Sequence, residues 1–343
     1  MSASPPNALV GTIRRLAAGE SPDPAELTAA FRVIWSGDAT PVLISALLVG
    51  LRVKGETPLD LAAVVRSLRE AMVQLPAERP EELVDTCGTG GGTINTFNIS
   101  TAAALLVAGL GVRVAKHGNR SFTTQCGSAD VLEALGVRID APVGVMQAAL
   151  ESAGIVFMFA PAMHPAMRHV GPIRRELGVQ TVMNMVGPLA NPAHAGRQVV
   201  GVSDARRLAL IAGAMQALDT THTLVVHGAG MDEISPFGET QVVEIRGGQM
   251  SEWTIDPRRY GFGRGAPEQI AGGPPADNAA TVMRVLRGEG NEPSTAAVVL
   301  NAAAALYVGG AAPTFDDGVS MATEAIRSGA GLVALDRLRT AFK

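Results

Sequence analysis

The chain is poor in the residues that mark nucleic-acid-binding, disulfide-rich and zinc proteins. Aromatic residues make up 4% and charged residues 17% of its 343 residues, and the net charge is −4. This composition argues against a base-stacking surface and a basic footprint for nucleic acid. The two cysteines, Cys87 and Cys126, lack the spacing of a zinc site, so we interpret them as two reduced thiols. A small anionic ligand remains compatible with this charge, because such sites use local amides, cations and metal.

Long apolar runs are also missing. The best candidate, residues 102–110, is far shorter than the ~20 residues of a membrane span. The first seven residues lack a basic stretch followed by an apolar one, so no signal peptide is predicted. We therefore expect a cytoplasmic protein without membrane partners. Hydrophobic residues, at 47%, suffice for a large core, and the 39 glycines suit close packing of helices on a sheet.

Helix-start signals recur along the first 80 residues. A capping residue followed by proline occurs at Asp23-Pro24, Thr40-Pro41 and Thr57-Pro58, and each pair predicts the start of a helix. Residues 76–82 then interrupt the apolar pattern with prolines and charges, which predicts a hinge. We predict an all-helical N-terminal domain over residues 1–80, joined by helices from about residue 170 to about residue 190.

From residue 81 onward, β-rich runs alternate with helical stretches, which is typical of an α/β fold. The predicted class is a small all-helical N-terminal domain plus a larger α/β domain, residues 81–343, with a mostly parallel central sheet flanked by helices. Gly247-Gly248 predicts a hairpin between residues 241–244 and 251–255. Other strands are predicted at 111–115, 137–139, 155–158, 181–183, 199–202 and 224–226. Helices are predicted at 100–110, 128–135, 143–153, 205–218, 278–286, 296–308 and 318–328.

A glycine-rich stretch, residues 85–101, reads DTCGTGGGTINTFNIST and separates a short predicted strand from a helix. Its glycines let the backbone approach a ligand and turn amides into a concavity. The helix N-terminus adds a positive partial charge, and Asn98, Ser100 and Thr101 add hydrogen-bonding side chains. The pattern predicts a phosphate or pyrophosphate cradle, with a plain glycine turn as the alternative. It matches neither a Walker loop nor a dinucleotide fingerprint.

A second polar loop, residues 116–130, reads KHGNRSFTTQCGSAD and also lies between a predicted strand and a helix. Lys116 and Arg120 supply cations, and several hydroxyl-bearing residues follow. Loops at the carboxyl ends of strands in an open α/β sheet collect ligands, so the two loops can line one crevice. A polar surface loop is the alternative. Of the six histidines, only His117 in this loop is assigned to a site.

A third candidate is Arg174 in the stretch RRELG, residues 174–178, followed by NMVGPLANP, residues 184–192. Arginine can grip a carboxylate through two parallel N–H groups. The Gly-Pro and Asn-Pro pairs predict a rigid loop. Taken alone, a surface pair of arginines with ordinary salt bridges is the favoured interpretation.

The fourth candidate is Asp232-Glu233 in the stretch HGAGMDEISP, residues 227–236, directly after a predicted strand. Adjacent acids at the end of a strand suit Mg²⁺, which prefers a few carboxylates together with waters and substrate phosphates. A solvated acidic turn is the alternative, and without context it is favoured.

Taken together, these motifs resemble the anthranilate phosphoribosyltransferase family over nearly the entire chain. Members of that family transfer phosphoribose from phosphoribosyl pyrophosphate (PRPP) to the amine of anthranilate, in tryptophan biosynthesis, and release pyrophosphate. The resemblance also implies a homodimer formed through the helical domain. The similar stretches are residues 96–101, 116–121, 127–136, 164–167, 174–178, 187–192, 227–235 and 301–307.

The resemblance implies which residues bind each ligand. No acid or base is assigned, and Lys116, His117, Asn119 and Arg174 would act by positioning. The cofactor would be Mg²⁺, two ions per subunit, held by Ser100, Asp232 and Glu233. Anthranilate would contact Gly88, His117, Asn119, Arg174 and Pro188. PRPP would contact Gly88, Gly91, Gly92, Thr96, Asn98, Ile99, Ser100, Thr101, Lys116, His117, Gly118, Asn119, Arg120, Ser121, Phe122, Thr123, Thr124 and Ser128.

The chain departs from the family pattern in three places. Gly92-Thr93 stands where the family usually has aspartate and then glycine, and Thr123-Thr124-Gln125 stands where Ser-Ser-Lys is common. Gly272-Gly273-Pro274-Pro275 replaces a more acidic segment. The first two changes remove a carboxylate and an ammonium group beside PRPP, which puts metal dependence and PRPP affinity in question.

Three other functions stay open at this point. One is a paralogous phosphoribosyltransferase with a different aromatic acceptor, which the presence of Arg174, Asn119 and His117 argues against. Another is an enzyme like the pyrimidine nucleoside phosphorylases, which uses inorganic phosphate. The third is an inactive binding protein, including a nucleic-acid-binding relative. The acidic charge balance and the Asp232-Glu233 pair argue against this third function.

Overall fold

The computed structural model describes residues 5–121 and 125–343, so the predicted PRPP contacts of Phe122, Thr123 and Thr124 lie outside the described residues. The N-terminal region is helical, and the three cap–proline pairs each begin a helix. In the second helix, Asp23 accepts a hydrogen bond from Glu26 N–H at 2.8 Å, and Glu26 accepts one from Asp23 N–H at 2.9 Å. The four helices are α1 Pro5–Ala17, α2 Pro24–Trp35, α3 Pro41–Lys54 and α4 Pro58–Ala71.

One seven-stranded sheet forms the centre of the molecule, in the order β3-β2-β1-β4-β5-β6-β7. Strands β3, β2, β1, β4 and β5 pair in parallel, and β6 and β7 add an antiparallel hairpin. The mostly parallel sheet and the hairpin at Gly247-Gly248 are thus confirmed. The strands are β1 Val84–Gly88, β2 Val114–Gly118, β3 Ile155–Phe159, β4 Arg197–Gly201, β5 His222–Gly228, β6 Thr240–Arg246 and β7 Gln249–Ile255.

Helices cover both faces of this sheet. None of those in the described ranges combines the length and the apolarity needed to cross a bilayer. The remaining helices are α5 Ile99–Gly109, α6 Ser128–Ala134, α7 Val143–Ala153, α8 Ala160–Met163, α9 Gly171–Leu177, α10 Val186–Leu189, α11 Leu208–Ala217, α12 Pro275–Leu286, α13 Glu292–Val308, α14 Phe315–Arg327 and α15 Ala330–Ala341.

Two hydrophobic cores lie on the two faces, and the strands alternate between them. Val199 and Leu224 face the core that contains α5 and α12 to α15, whereas Val200 and Val225 face the other core. That second core also takes in α1 to α4, α11 and residues 166–190. The predicted domain boundary at residue 80 stays a prediction, and only one short 3-10 turn, Pro80–Glu82, separates α4 from β1.

Two predicted strands are wrong. Residues 137–139 follow α6 without joining the sheet, and the side chains of Val137 and Ile139 instead pack into the hydrophobic core that contains α5. Residues 181–183 enter a 3-10 turn, Val182–Asn184. There Asn184 Oδ1 accepts from Thr181 N–H at 3.0 Å, and this local side-chain bond competes with strand pairing.

Candidate active site

The site lies where the strand order reverses, between β1 and β4. These two strands pair in parallel so that their last residues, Gly88 and Gly201, are register partners. In an open α/β sheet, ligands bind outside the carboxyl ends of the strands at such a switch point. A small cleft opens there, lined by Thr86, Cys87, Gly88, Ser100, Val199, Gly201, Val226, Asp232, Glu233 and Asn301.

The glycine-rich loop after β1 is held against the loop after β5. Gly90 and Gly91 have φ of 70° and 79°, which other residues rarely adopt. A Cβ added at Gly88 would overlap the Asp232 carboxylate, and one at Gly92 would lie 2.9 Å from the Gly230 carbonyl oxygen. Glycine is therefore required at 88 and favoured at 92, because the two loops approach backbone to backbone.

Thr93, one of the departures from the family pattern, adds a side-chain contact between these loops. Its backbone N–H donates to Gly230 O at 3.0 Å, and its hydroxyl donates to the same oxygen at 3.2 Å. Glycine at this position would keep only the first bond. Threonine at residue 93 therefore adds one hydrogen bond between the glycine-rich loop and the loop after β5, which carries the acid pair.

The acidic pair on the second loop is half-buried and, among the described residues, has no ion-pair partner. Asp232 Oδ2 accepts from Gly90 N–H at 2.7 Å, and Glu233 Oε1 accepts from Ser100 N–H at 3.2 Å. Burial raises the pKa of both carboxyls, and the charge of Asp232 raises that of Glu233 further. Two crowded carboxylates of this kind are stabilised by a bound cation.

The first turn of α5 supplies the other wall of the cleft. Asn98 precedes this helix without a side-chain cap, and the Ser100 N–H donates instead to Glu233 Oε1. Ser100 is half-buried there, while Ile99 and Thr101 are buried. Within the described part of the chain, the Thr101 hydroxyl has no hydrogen-bond partner. Thr96 precedes α5 and pairs with Ala271 in an isolated antiparallel bridge.

Lys116 lies beneath the cleft. It is only 3% exposed, and its Nζ donates to Thr86 O at 2.5 Å, to Thr86 Oγ1 at 3.2 Å and to Ser100 Oγ at 3.3 Å. The ammonium group therefore connects β1, through Thr86, to the first turn of α5, through Ser100. A direct contact between Lys116 and PRPP phosphates stays a prediction.

In the loop after β2, the positive charge of Arg120 is paired with acids of α6. Arg120 binds two acids of α6, with Nη1 at 2.7 Å from Asp130 Oδ1 and Nη2 at 2.9 Å from Glu133 Oε1. Ser128 Oγ donates to Asn119 O at 3.3 Å and lies where a Cβ at Gly118 would collide with it. Asp130 also accepts from Ser121 N–H at 3.2 Å, so this loop is fixed by α6 on its described part.

His117 is buried against His164, with ring centroids 5.0 Å apart. None of their four ring nitrogens reaches hydrogen-bond geometry with a described residue. Burial lowers the pKa of His117 to about 3 and that of His164 to about 4, and for His117 the second imidazole lowers it further. Both rings are therefore neutral at physiological pH.

Asp85, which the sequence analysis names only as part of the glycine-rich stretch, fixes the backbone of His117 and the side chain of Asn191. Its carboxylate accepts from His117 N–H at 3.1 Å and from Asn191 Nδ2 at 2.7 Å, and it is fully buried. Burial raises the pKa of Asp85 to about 6, while the charge of Lys116 opposes that rise. Asp85 thus connects β1 to β2 and to the loop after α10.

Arg174, on α9, is half-buried, and its guanidinium makes no hydrogen bond or ion pair within residues 5–121 and 125–343. Burial lowers its pKa, so an anionic partner would be stabilising. Helix α10, which contains Pro188, accepts hydrogen bonds from two side chains: Gln198 Nε2 donates to Pro188 O at 2.9 Å, and Arg69 Nη2 donates to Leu189 O at 2.7 Å.

Several side chains that shape the site were not assigned from the sequence. His164, Asp85 and Asn191 have no role in the sequence-based prediction. Asn301, on α13, donates to Ile234 O at 3.1 Å and accepts from Ile234 N–H at 3.0 Å, which fixes the residue after the acid pair. These contacts join residues far apart in the chain. Only the polar character of such residues within apolar stretches could have drawn attention to them.

Comparison with known proteins agrees with this arrangement. Residues 80–332 match the glycosyl transferase family, a/b domain, and residues 10–72 match the glycosyl transferase family, helical bundle domain. An anthranilate phosphoribosyltransferase of Methanosarcina acetivorans is 46% identical over 95% of this chain and 88% of its own length.

Solved structures are similar over the whole length. The crystal structure of anthranilate phosphoribosyltransferase from Thermus thermophilus has a TM-score of 0.91 and 42% identity, covering 96% of this chain and 99% of that one. The Saccharomyces cerevisiae enzyme in complex with PRPP and Mg has a TM-score of 0.88 and 26% identity, covering 97% of each chain. The yeast enzyme in complex with 4-fluoroanthranilate has the same TM-score, 0.88. On this evidence of sequence, fold and site, the chain belongs to the anthranilate phosphoribosyltransferase family.

Proposed function

We propose that this chain transfers phosphoribose from PRPP to anthranilate, giving N-(5-phosphoribosyl)anthranilate and pyrophosphate, the second step of tryptophan biosynthesis from chorismate. The observation that carries the proposal is the contact at the switch point between a glycine-rich loop and an acid pair that forms no salt bridge with a described residue. Amides suit the phosphates of PRPP, and carboxylates suit their metal ion. A relative of known structure binds PRPP and Mg, which supports the same ligands here.

The donor set at Ser100, Asp232 and Glu233 fits Mg²⁺. It consists of two carboxylates and a hydroxyl, all oxygen donors, and the described residues contain no cluster of three or more His, Cys, Asp or Glu side chains that would form a closed metal cage. The remaining ligands would come from water and substrate phosphates. When bound, Mg²⁺ would offset negative charge on the pyrophosphate group. Two ions per subunit is the number that we propose.

The protein's own groups would stabilise the departing pyrophosphate. Displacement at the anomeric carbon builds positive charge on the ribose and negative charge on the leaving group. Amides of the glycine-rich loop and of the first turn of α5 would hydrogen-bond that negative charge. Two of them, Gly90 N–H and Ser100 N–H, donate to Asp232 and Glu233 in this structure and would exchange these carboxylates for the phosphate oxygens. Because the attacking aromatic amine is uncharged, positioning would supply much of the rate without a strong base.

The acceptor would bind on the side of His117 and Arg174. Arg174 carries a half-buried cation that no described residue neutralises, which suits the carboxylate of anthranilate. His117 and His164 present neutral imidazoles, and the backbones of Gly187 and Ala190 lie close enough to them to oppose the lowering of their pKa. Asn119 and Pro188 complete the acceptor contacts that we propose.

A homodimer through the helical domain is the assembly that we propose. Helix α3 exposes Val42, Val49 and Val53 on one side, with 77%, 37% and 82% of each residue accessible. Their spacing places them along one stripe of the helix. An apolar stripe of this kind is unfavourable in water and suits a second copy of the same surface.

A panel of acceptors would test the assignment against its alternatives. Purified protein would be incubated with Mg²⁺ and PRPP, and with anthranilate, 4-aminobenzoate or aniline in turn. The proposal predicts pyrophosphate release with anthranilate alone, because only this acceptor pairs an amine with an adjacent carboxylate. Release with a different acceptor would indicate a paralogous transferase. Cleavage of a pyrimidine nucleoside by inorganic phosphate, without activity on PRPP, would indicate a phosphorylase.

A further inference from the structure

The segment before α12 is paired with the end of the glycine-rich loop. Phe97 N–H donates to Ile270 O at 2.9 Å, and Gly272 N–H donates to Asn95 O at 2.9 Å. This short antiparallel ribbon lies directly before Asn98 and α5. The conformation of the loop is therefore set in part by a segment that is remote in sequence.

Asn278, in the first turn of α12, extends this contact through side chains. It is buried, at 2% exposure. Its Oδ1 accepts from Gly273 N–H at 2.8 Å, and its Nδ2 donates to Asn98 Oδ1 at 2.9 Å. Asn98 Nδ2 in turn donates to Cys126 O at 3.3 Å. A relay of two amides thus connects α12 to both polar loops, the one after β1 and the one after β2.

The two ends of this relay determine how both amides are oriented. Gly273 N–H can only donate, so it selects the oxygen of the Asn278 amide. The Asn278 NH₂ group then faces Asn98 and can only donate, so it selects Asn98 Oδ1. Cys126 O can only accept, and it takes one N–H of the Asn98 NH₂ group. No other described residue accepts from the Asn98 NH₂ group, so one N–H is left for a ligand. Asn98 Oδ1 also accepts from Cys126 Sγ at 3.3 Å, and Asn98 can therefore meet that ligand only as a donor.

We propose that Asn278 is a positioning residue for PRPP, which fixes the Asn98 amide as a hydrogen-bond donor to an oxygen of the bound sugar phosphate. The inference rests on the proposed function, because it takes PRPP as the ligand of Asn98. PRPP offers phosphate and hydroxyl oxygens, all of which can accept. A donor group at residue 98 is therefore the orientation that suits it.

The substitution Asn278→Asp tests this role. The carboxylate still accepts from Gly273 N–H but presents an acceptor to Asn98, whose amide must then turn over and lose its bond to Cys126 O. We expect KM for PRPP to rise roughly tenfold, in line with the cost of an unsatisfied buried polar group, while KM for anthranilate changes by less than about twofold. Thermal unfolding checks that the variant is folded. Asn278→Ser removes the contact without adding charge and carries the same expectation.

A double-mutant cycle separates positioning from general stability. In an Asn98→Ala background, Asn278→Asp should change KM for PRPP by less than about twofold, because the group that it orients is absent. Asn291→Asp is the matched control. Like Asn278, Asn291 accepts from a backbone N–H, that of Ser294 at 2.8 Å, and uses its Nδ2 as a donor, to Gln269 O at 3.0 Å, but it does not contact Asn98. This control should leave KM for PRPP unchanged.

The outcomes separate the inference from the proposed function. If the unsubstituted protein binds no PRPP, the proposed function is contradicted. If it binds PRPP and a folded Asn278→Asp variant keeps the same KM, only the role of Asn278 is contradicted. An undiminished effect of Asn278→Asp in the Asn98→Ala background would also overturn it, since Asn278 would then act by another route.

Discussion

Asp232 Oδ2 accepts a hydrogen bond from the Gly90 backbone N–H at 2.7 Å. This contact joins the loop whose amides suit phosphate to the loop whose carboxylates suit metal. The phosphate and metal sites that we propose are therefore in direct contact, and a change in either loop is expected to affect the other.

Arg174→Ala should weaken anthranilate use far more than PRPP use. Truncating one partner of a hydrogen-bonded charge pair costs roughly 2–5 kcal/mol, so we expect KM for anthranilate to rise on the order of 10²-fold. Steady-state kinetics with each substrate varied in turn measures both constants. The neighbouring and exposed Arg175→Ala is the matched control and should change neither. Equal losses for both substrates would contradict the role of Arg174.

Asp232→Asn and Glu233→Gln should each raise the Mg²⁺ concentration that gives half-maximal activity. The carboxylates are the only charged donors proposed for the metal, and a bound cation contributes several kcal/mol of charge stabilisation, so kcat/KM should fall on the order of 10²-fold. Titration of activity with Mg²⁺ measures the shift. Glu239→Gln, at an exposed position a few residues later, is the control. An unchanged Mg²⁺ dependence in both site variants would place the metal elsewhere.

The buried imidazole of His164 should make the free energy of unfolding depend on pH. Its pKa is about 4 in the folded protein, below the ~6.5 of an unfolded chain, so the unfolded state binds more protons between these values. The stabilisation is present above pH ~6.5 and is lost as the pH falls toward 4, by about 1.4 kcal/mol per pH unit.

Chemical denaturation of the unsubstituted protein and of His164→Gln, at several pH values from 7 to 4.5, measures this slope. Asp85 acts with the opposite sign, because its pKa is raised to about 6, and it contributes equally to both proteins. The difference between the curves therefore reports His164 together with its effect on the pKa of His117, which the second imidazole lowers. Parallel curves would contradict the buried neutral imidazole.

Val53→Glu should convert a dimer to a monomer. The substitution places a charge at the end of the exposed apolar stripe of α3, where a partner copy would have to desolvate it. Sedimentation velocity of the unsubstituted chain should give twice the mass of one chain, and the variant should give the mass of one chain. Val333→Glu, at a position 55% exposed on α15, is the control and should stay dimeric. A monomeric unsubstituted chain would refute the proposed assembly.

Local signals in the sequence were enough for the element types that depend on caps, turns and periodicity. Asp23, Thr40 and Thr57 begin helices where their caps predict them, and Gly247-Gly248 forms the hairpin turn. The failures at residues 137–139 and 181–183 have different causes. The first run packs into the hydrophobic core without pairing with a strand, and at the second the hydrogen bond between Thr181 and Asn184 accompanies a 3-10 turn.

Local signals were also enough for only part of the site. Glycine spacing and the strand–loop–helix order indicated the loops that meet at the cleft. The partners that set their geometry, such as Asp85 behind His117 and Asn301 behind Glu233, come from distant segments. The sequence presents Lys116 and Arg120 as cations near a ligand loop, and in the structure both are hydrogen-bonded to other residues of the protein. Cations near a ligand loop cannot be divided into free and paired ones before the fold is known.

The most direct test follows anthranilate fluorescence in a reaction of purified protein with PRPP and Mg²⁺, with pyrophosphate measured in parallel. The account predicts that anthranilate disappears, that one pyrophosphate is released per anthranilate consumed, and that omission of PRPP or chelation of the metal stops both. Constant fluorescence in the complete mixture, with PRPP binding intact, would contradict anthranilate as the acceptor. Absence of PRPP binding as well would contradict the central claim that this cleft is a phosphoribosyltransferase site.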